Sequence, residues 1–352
     1  MRRKLLFAVL PAALMLSALV TNAGPASGAP ATVFTAYAHT DVHNPRGLAA
    51  AGHYVWISDI NNSGPGEYVV QINTATGDER RVASAYVTDP SQVVASDRYA
   101  WVMNAARNNV QASSLLRINA KTLAVRRIKI PGADNAGVGY DQGPIFLAGH
   151  YIWIPGAHGI LRVDTTTFKA STITSQVIVG PLVSVATDEH YLWLNAPTID
   201  GHSLTYFVRV SVATGVVTEV NFPGVKGGLP IGDDGTNLWV INAKGIQRIN
   251  QTTDQVTTVV VPKRAQITFP VDGPSAIANG AIYFCGGLPA LHHTGVVRVG
   301  ISSALATVVS SALLYNPIIV ATSNNVLWIA NAPYGNFTAV KQPVLVRANS
   351  PS

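Results

Sequence analysis

The chain has 352 residues, of which 48% are hydrophobic and 12% are charged. This balance excludes an intrinsically disordered protein, which would be rich in charge and poor in apolar residues. With 30 Gly and 21 Pro, the composition favours many short elements joined by turns over long helices. The formal net charge is +6, but the basic residues are scattered in sequence, so no basic cluster predicts a partner nucleic acid.

The first 31 residues have the form of a secretory signal peptide. A basic start at residues 2–4 precedes an apolar stretch, Leu5 to Val20, which Pro11 interrupts. This stretch is short for a membrane span. Cleavage near Ala31 leaves a soluble, secreted domain over 32–352, and cleavage after Ala23 is the alternative. An uncleaved N-terminal anchor is the other interpretation of the segment.

Cys285 is the only cysteine. The chain therefore forms no intramolecular disulfide, and its stability depends on packing. A single thiol in an exported protein can be reactive or can link two chains. Because Cys285 lies in the apolar segment IYFC, we predict a buried, inert thiol.

A repeat of about 45 residues runs through the rest of the sequence. All six Trp and one Tyr occupy one apolar segment of this repeat, at spacings of 45, 52, 40, 46, 44 and 45 residues. These aromatic residues are Trp56, Trp101, Trp153, Trp193, Trp239, Tyr283 and Trp328. A Pro lies 9 to 12 residues before each of them, at the start of another apolar segment. Pro at the first residue of a strand loses no ladder hydrogen bond, so each Pro is predicted to begin a strand.

A third segment follows each aromatic residue and contains Arg in six repeats and Gln71 in the first. It ends in a turn in which Asn, Asp or Ser precedes Thr or Ser by three residues, as in NTATG and DTTT. Short polar side chains cap such turns, and Gly77 or Gly215 can adopt positive φ there. A fourth, alternating segment then follows, as in DQVTTVVV.

Seven repeats of four strands predict an all-β fold, a seven-bladed β-propeller of four-stranded antiparallel blades. Each blade must bury both faces against its neighbours, and the repeated Trp supplies apolar area for that packing. The repeated Arg is expected to stack on an aromatic ring. Because residues 34–39 have the place of a fourth strand before Pro45, we predict that the N-terminal strand completes the last blade and closes the ring.

The repeat, with its LWV-x-N and V-x-R-I-D-x-x-T segments, resembles the bacterial YVTN and streptogramin-lyase-like propellers over essentially the whole of 32–352. The resemblance implies the fold. For a lyase it also implies a magnesium site with a His and an acidic partner, but the lyase-type WFTE is replaced here by WISD, WVMN or WIAN. Lactonase-type propellers need a metal-binding Glu, and only Glu67 falls in a suitable loop. In size, export and blade number, the chain is also similar to secreted propellers of the dispase autolysis-inducing type, which act on a metalloprotease.

The features that break the sevenfold repeat are expected to carry function. Loops that join strands two and three, or strands four and one, share the channel mouth, and insertions at about 130–143 and 262–273 lengthen two of them. Acidic, amide and histidine side chains collect there and could hold Ca2+ or Mg2+. Ordinary turn residues and surface histidines are the alternative. The candidate binding residues are His43, Asp59, Asp89, Asn104, Asp141, His158, His202, Asp272, His292 and His293.

Three functions fit these observations. The leading hypothesis is a secreted, non-enzymatic module, monomeric, whose mouth or rim binds another secreted or cell-envelope protein, such as a metalloprotease that it modulates. The second is a metal-dependent lyase or lactonase with His292 or His293 as the base and Asp141 and Asp272 near a divalent ion. The third is a structural envelope protein or a cross-linking substrate that uses Gln342 and Lys341.

Overall fold

The structure is a computed structural model. It describes residues 17–18, 33–37, 42, 44–59, 67–104, 114–130, 145–156, 159–178, 184–195, 206–225, 228–242, 244–261, 275–288, 293–309, 311–331 and 345–349. No helix of these residues is both long enough and apolar enough to cross a membrane.

The described strands form seven antiparallel sheets, one for each repeat, and this confirms the seven-bladed propeller. The closing blade, blade 7, includes β1 (Ser17–Ala18) and β2 (Val33–Tyr37). Blade 1 contains β3 (Pro45–Ala51), β4 (Tyr54–Asp59), β5 (Tyr68–Asn73) and β6 (Glu79–Arg81). Blade 2 contains β7 (Pro90–Ala95), β8 (Tyr99–Asn104), β9 (Ser114–Asn119) and β10 (Val125–Lys129). Blade 3 contains β11 (Phe146–Ala148), β12 (Tyr151–Gly156), β13 (Gly159–Asp164) and β14 (Ala170–Ile173).

The second half of the ring repeats the same order. Blade 4 contains β15 (Ser184–Thr187), β16 (Tyr191–Asn195), β17 (Phe207–Ser211) and β18 (Val217–Val220). Blade 5 contains β19 (Leu229–Asp233), β20 (Asn237–Asn242), β21 (Gly245–Asn250) and β22 (Val256–Thr258). Blade 6 contains β23 (Ala276–Ala278), β24 (Ala281–Leu288), β25 (His293–Gly300) and β26 (Ala306–Val309). Blade 7 is completed by β27 (Pro317–Ser323), β28 (Val326–Asn331) and β29 (Leu345–Asn349).

Blade 7 confirms the predicted closure of the ring. β2 pairs with β29 in the order Val33↔Asn349 to Tyr37↔Leu345, and β29 pairs in turn with β28. The Tyr37 ring lies 5.4 Å from the Trp328 ring, between centroids. The first and last strands of the propeller therefore form one sheet, and this non-covalent pairing joins the two ends of the chain.

Three of the repeated prolines begin inner strands as predicted, and Pro144, Pro181 and Pro274 lie outside the described residues. Pro45, Pro90 and Pro317 are the first residues of β3, β7 and β27, whereas Pro230 is the second residue of β19. In all four strands the pairing register shifts immediately after the Pro. Pro has no N–H to give to the ladder, so a bulge at this point costs little pairing.

The aromatic repeat forms the seams between blades. Each of the six Trp is at most 2% exposed. Trp101 packs on Ile152 and Val163 of the next blade, and the other aromatic residues repeat this contact around the ring. Tyr283 and Cys285 lie together in the seam between blades 6 and 7, both almost fully buried. The predictions of interblade Trp packing and of a buried thiol are both confirmed.

Five of the six repeated Arg of strand three, all but Arg298, stack on aromatic rings, as expected. The Arg162 guanidinium carbon lies 4.4 Å from the centroid of Tyr151, and equivalent stacking holds Arg117, Arg209, Arg248 and Arg347. In blade 1 this position is Gln71, which donates from Nε2 to the Ala120 carbonyl of blade 2 at 2.6 Å. Gln71 thus ties its blade to the next one without a charge.

The turns between strands three and four have the predicted chemistry. Asn73 Oδ1 accepts hydrogen bonds from the next two turn N–H groups, at 2.9 and 3.2 Å, and Asn119, Asp164 and Asn250 do the same. Gly77 and Gly215 have φ of 77° and 74°. The equivalent position in blade 3 is Phe168, with φ of 61°. A bulky residue is unfavourable in this left-handed conformation, so its packing must hold it there.

Candidate functional site

The described part of the channel mouth is built from the end of strand two and the start of strand one. These ends pair directly in blades 1, 2, 4 and 7, as in Pro45↔Asp59 and Pro90↔Asn104. Asp59 and Asn104 are the last residues of strand two in blades 1 and 2, and Asp89 immediately precedes strand one of blade 2. All three are buried, with exposures of 0%, 5% and 1%. Their hydrogen bonds indicate the role of each side chain.

Asp59 and Asn104 hold the loops that lead into strand one. Asp59 accepts a hydrogen bond from the Asn44 N–H. Asn104 Oδ1 accepts from the N–H groups of Thr88 and Asp89 at 3.0 and 3.1 Å, and its Nδ2 donates to Thr88 Oγ1 at 2.9 Å. Both side chains cap backbone groups that would otherwise be buried without a partner. Of the candidate residues, Asp89 and Asn104 are brought into direct contact.

Other polar residues at this level link backbone segments. Asn331 Nδ2 donates to the Leu313 carbonyl at 3.0 Å, within the approach to its own blade. Asn195 Nδ2 donates to the Gly228 carbonyl of blade 5, and Ser58 Oγ donates to the Ser91 carbonyl of blade 2. The described mouth is therefore a rigid platform, in which polar side chains stabilise loops and join adjacent blades.

The described residues do not fit a complete metal site. Hard cations such as Ca2+ take six or more oxygen ligands. Asn195 Oδ1 is a buried oxygen with no hydrogen-bond partner among these residues. However, nowhere in the described ranges do three His, Cys, Asp or Glu side chains group in a way that could hold a metal.

The remaining candidates lie outside the residues whose side chains the structure describes. For His293, the first residue of β25, only the backbone is described. The candidates outside the described residues are His43, Asp141, His158, His202, Asp272 and His292. Their grouping at the mouth remains a prediction.

One buried carboxyl group was not predicted from the sequence. Asp233 ends β19 and is 4% exposed. Its Oδ1 accepts from Gln251 Nε2 at 2.7 Å and from the Gly235 N–H at 2.9 Å. Burial, supported by the negative charge of Asp188, raises the pKa of Asp233 to about 6. The residues at this register position in the other blades are neutral: Ala50, Ala95, Leu147, Thr187, Ile277 and Thr322.

A second feature was not predicted because it exists only in three dimensions. The sequence places its basic residues in runs of no more than two after residue 4. The fold brings β6 and β10 to the outer rim of adjacent blades, and together these strands carry Arg80, Arg81, Arg126, Arg127 and Lys129. We call these five residues the basic rim. The concentration of basic residues in two short outer strands was the available signal.

No family model matches the chain, and no curated protein matches it in sequence. Among solved structures, it is similar to PorZ, a bacterial surface component of the type-IX secretion system of Porphyromonas gingivalis (TM-score 0.57, 10% identity, 84% of this chain and 36% of that one). It is also similar to the extracellular domain of a putative hybrid two-component system from B. thetaiotaomicron (TM-score 0.61, 12% identity, 92% and 43%).

A third similar structure is a puromycin-hydrolyzing peptidase of Mycobacterium tuberculosis (TM-score 0.59, 13% identity, 84% and 49%). The chain thus spans less than half the length of each of these three proteins. At such low identity the similarity concerns the fold alone. By its strand order and by these comparisons, the chain is a seven-bladed β-propeller that shares its fold with bacterial surface and extracellular propeller proteins.

Proposed function

We propose that this protein is an exported, non-enzymatic propeller that binds another secreted or cell-envelope protein. The observation that carries this proposal is that the described polar side chains at the mouth form hydrogen bonds within the protein. Asp59, Asn104 and Asn331 are buried and make hydrogen bonds to the backbone, so these groups stabilise a platform. The charged residues of the basic rim, by contrast, lie at the molecular edge, where another protein can reach them.

Export and an extracellular location support the same proposal. The first 31 residues have the pattern of a signal peptide. Among structural neighbours, one is a surface component of a secretion system and another is an extracellular domain. Propellers present loops and strand edges on a stable scaffold, and such a scaffold is well suited to binding. The fold by itself does not specify a reaction.

The proposed partner is a secreted metalloprotease whose autolysis the propeller modulates. The test mixes the protein, purified from residues 32–352, with secreted metalloproteases. Complex formation is followed by size-exclusion chromatography with light scattering, and autolysis by gel densitometry. A stable complex with a changed autolysis rate supports the proposal. A protein that elutes alone as a monomer, with autolysis unchanged, overturns it.

Metal analysis distinguishes the binding module from the alternative hypothesis, a metal-dependent enzyme. Elemental analysis of the purified protein and its melting temperature with added Ca2+ or Mg2+ measure whether a cation binds the folded state. A stoichiometric cation and a raised melting temperature would favour an enzyme with its site at the mouth. Unchanged melting would leave the binding module as the better account.

A further inference from the structure

The charges of the outermost strands are concentrated in two adjacent blades. β6 and β10 carry the five residues of the basic rim and one acidic residue, Glu79. The outermost strands of the other five blades carry a single charge, that of Glu219. Since only 12% of the chain is charged, this concentration sets one sector of the ring apart from the rest.

β10 presents basic side chains on both of its faces. Ile128 packs into the seam between blades 2 and 3, so Arg126 shares the side that faces blade 3. Val125 packs into the seam between blades 1 and 2, so Arg127 and Lys129 share the opposite side. Arg126 and Lys129 are exposed. A chain that lies along β10 would therefore meet positive charge on either side.

Aromatic rings hold the guanidinium groups of this sector in place. The Arg126 guanidinium carbon lies 4.0 Å from the Phe168 centroid, and that of Arg117, its cross-strand partner, lies 4.6 Å from the same ring. Arg81 stacks on Tyr68 at 3.0 Å. Within the described part of the chain, none of these three arginines forms an ion pair. Stacking fixes the plane of a guanidinium and leaves its N–H edge available for a carboxylate.

The backbone of β10 is also available for pairing. The sheet of blade 2 has the order β10-β9-β8-β7, so β10 is its outer edge, and no other described strand pairs with it. An edge strand presents unpaired N–H and C=O groups to an added strand. Extended peptides bind such edges through the main chain, while side chains give specificity.

We propose that the outer edge of blade 2 is the docking surface for an extended acidic segment of an exported protein. The segment adds to β10 as a further antiparallel or parallel strand, and its Asp or Glu side chains pair with the basic rim. This inference rests on the proposed function, since it identifies the surface and the chemistry of the partner. The positive charge of the basic rim favours an acidic partner. The open strand edge favours an extended peptide, because only a peptide backbone can pair with it as a strand.

The test measures binding of labelled peptides by fluorescence anisotropy at low salt. The probes are an alternating Glu-Thr peptide, its Gln-Thr counterpart, and a Glu-rich peptide of equal charge in which Pro replaces alternate Thr. The protein is expected to bind the first and not the second. Pro removes the N–H groups that a strand needs. The affinity of the third peptide should therefore be lower than that of the first by about tenfold or more.

Protein variants locate the site. The double variant Arg126→Glu and Lys129→Glu reverses two exposed charges of the basic rim and should weaken binding about tenfold or more. The control, Arg46→Glu with Lys244→Glu, also replaces one Arg and one Lys, at exposed residues outside the rim, and its affinity should stay close to that of the parent. Melting temperatures of both variants report whether either substitution disturbs the fold.

Three results would overturn the inference. Equal binding by the rim variant would show that the site lies elsewhere. Equal binding of the Pro-containing peptide would show that charge alone acts, without strand addition. Tighter binding of polyphosphate, with no binding of the acidic peptide, would indicate a polyanion site. If a secreted partner binds the parent and the rim variant equally, the inference fails while the proposed function stands; if no secreted partner binds the parent, the proposed function fails.

Discussion

Asp233 should make the stability of the propeller depend on pH. The carboxyl lies at the seam between blades 4 and 5, where burial raises its pKa to about 6, against 3.8 for an exposed aspartate. Because the folded state holds the proton more tightly, folding is favoured below the unfolded pKa, and this contribution is lost as the pH rises through the folded pKa. Each pKa unit corresponds to about 1.4 kcal/mol, so the loss between about pH 4 and pH 7 has a ceiling of about 3 kcal/mol.

The substitution Asp233→Asn removes the titration and keeps the shape of the side chain. Its Oδ1 can still accept from Gln251 and from the Gly235 N–H, as Asp233 does. We therefore expect the variant to unfold at higher urea concentration than the parent at about pH 8, and at nearly the same concentration at about pH 4, since the parent carboxyl is then protonated. Tryptophan fluorescence follows the transition, because six Trp lie in the seams.

Asp254→Asn is the matched control. Asp254 lies in the exposed turn after β21 with φ of 57°, a conformation that Asn also adopts readily. The substitution makes the same charge change in blade 5 without removing a buried carboxylate, and its pH profile should follow that of the parent. If Asp233→Asn also follows the parent at every pH, then Asp233 is not a buried titrating group and the reasoning is wrong.

The packing and the mouth give three more predictions. Trp101→Ala empties the seam between blades 2 and 3 and should lower the free energy of unfolding by about 3–5 kcal/mol in urea titrations. Asn104→Ala leaves the Thr88 and Asp89 N–H groups without their acceptor; it should cost about 1–3 kcal/mol and speed amide exchange at those two residues. Tyr37→Ala weakens the closure of blade 7 and should lower stability by about 1–3 kcal/mol, with faster exchange at Leu345–Asn349; unchanged exchange there would contradict the closure.

Periodicity is why the fold was predictable. The Trp spacing and the Arg of strand three reflect a contact that recurs at every seam, so each copy in the sequence independently predicts the same structure. The N-terminal strand could be placed because the last repeat needs a fourth strand to cover its edge. The shift of Pro230 to the second position of β19 shows that the exact strand start depends on a local bulge.

The functional features could be predicted less well, since they depend on distances across blades. Asp59 and Asn104 were predicted as candidate binding residues, but sequence position alone does not reveal that their oxygen atoms accept backbone hydrogen bonds. Asp233 was overlooked because it is the last residue of strand one, at the opposite end of the blade from the mouth. The basic rim combines residues about 45 positions apart, so a search for continuous basic runs does not connect them.

The most direct test of the account is amide hydrogen exchange of β10, Val125–Lys129, with and without the alternating Glu-Thr peptide. If the acidic segment adds as a strand, the outward N–H groups of β10 acquire acceptors, and their exchange slows on binding. The outermost strand of blade 4, Val217–Val220, carries Glu219 and no basic residue and should exchange at the same rate in both samples. Binding of the peptide with no protection of β10 would contradict the account.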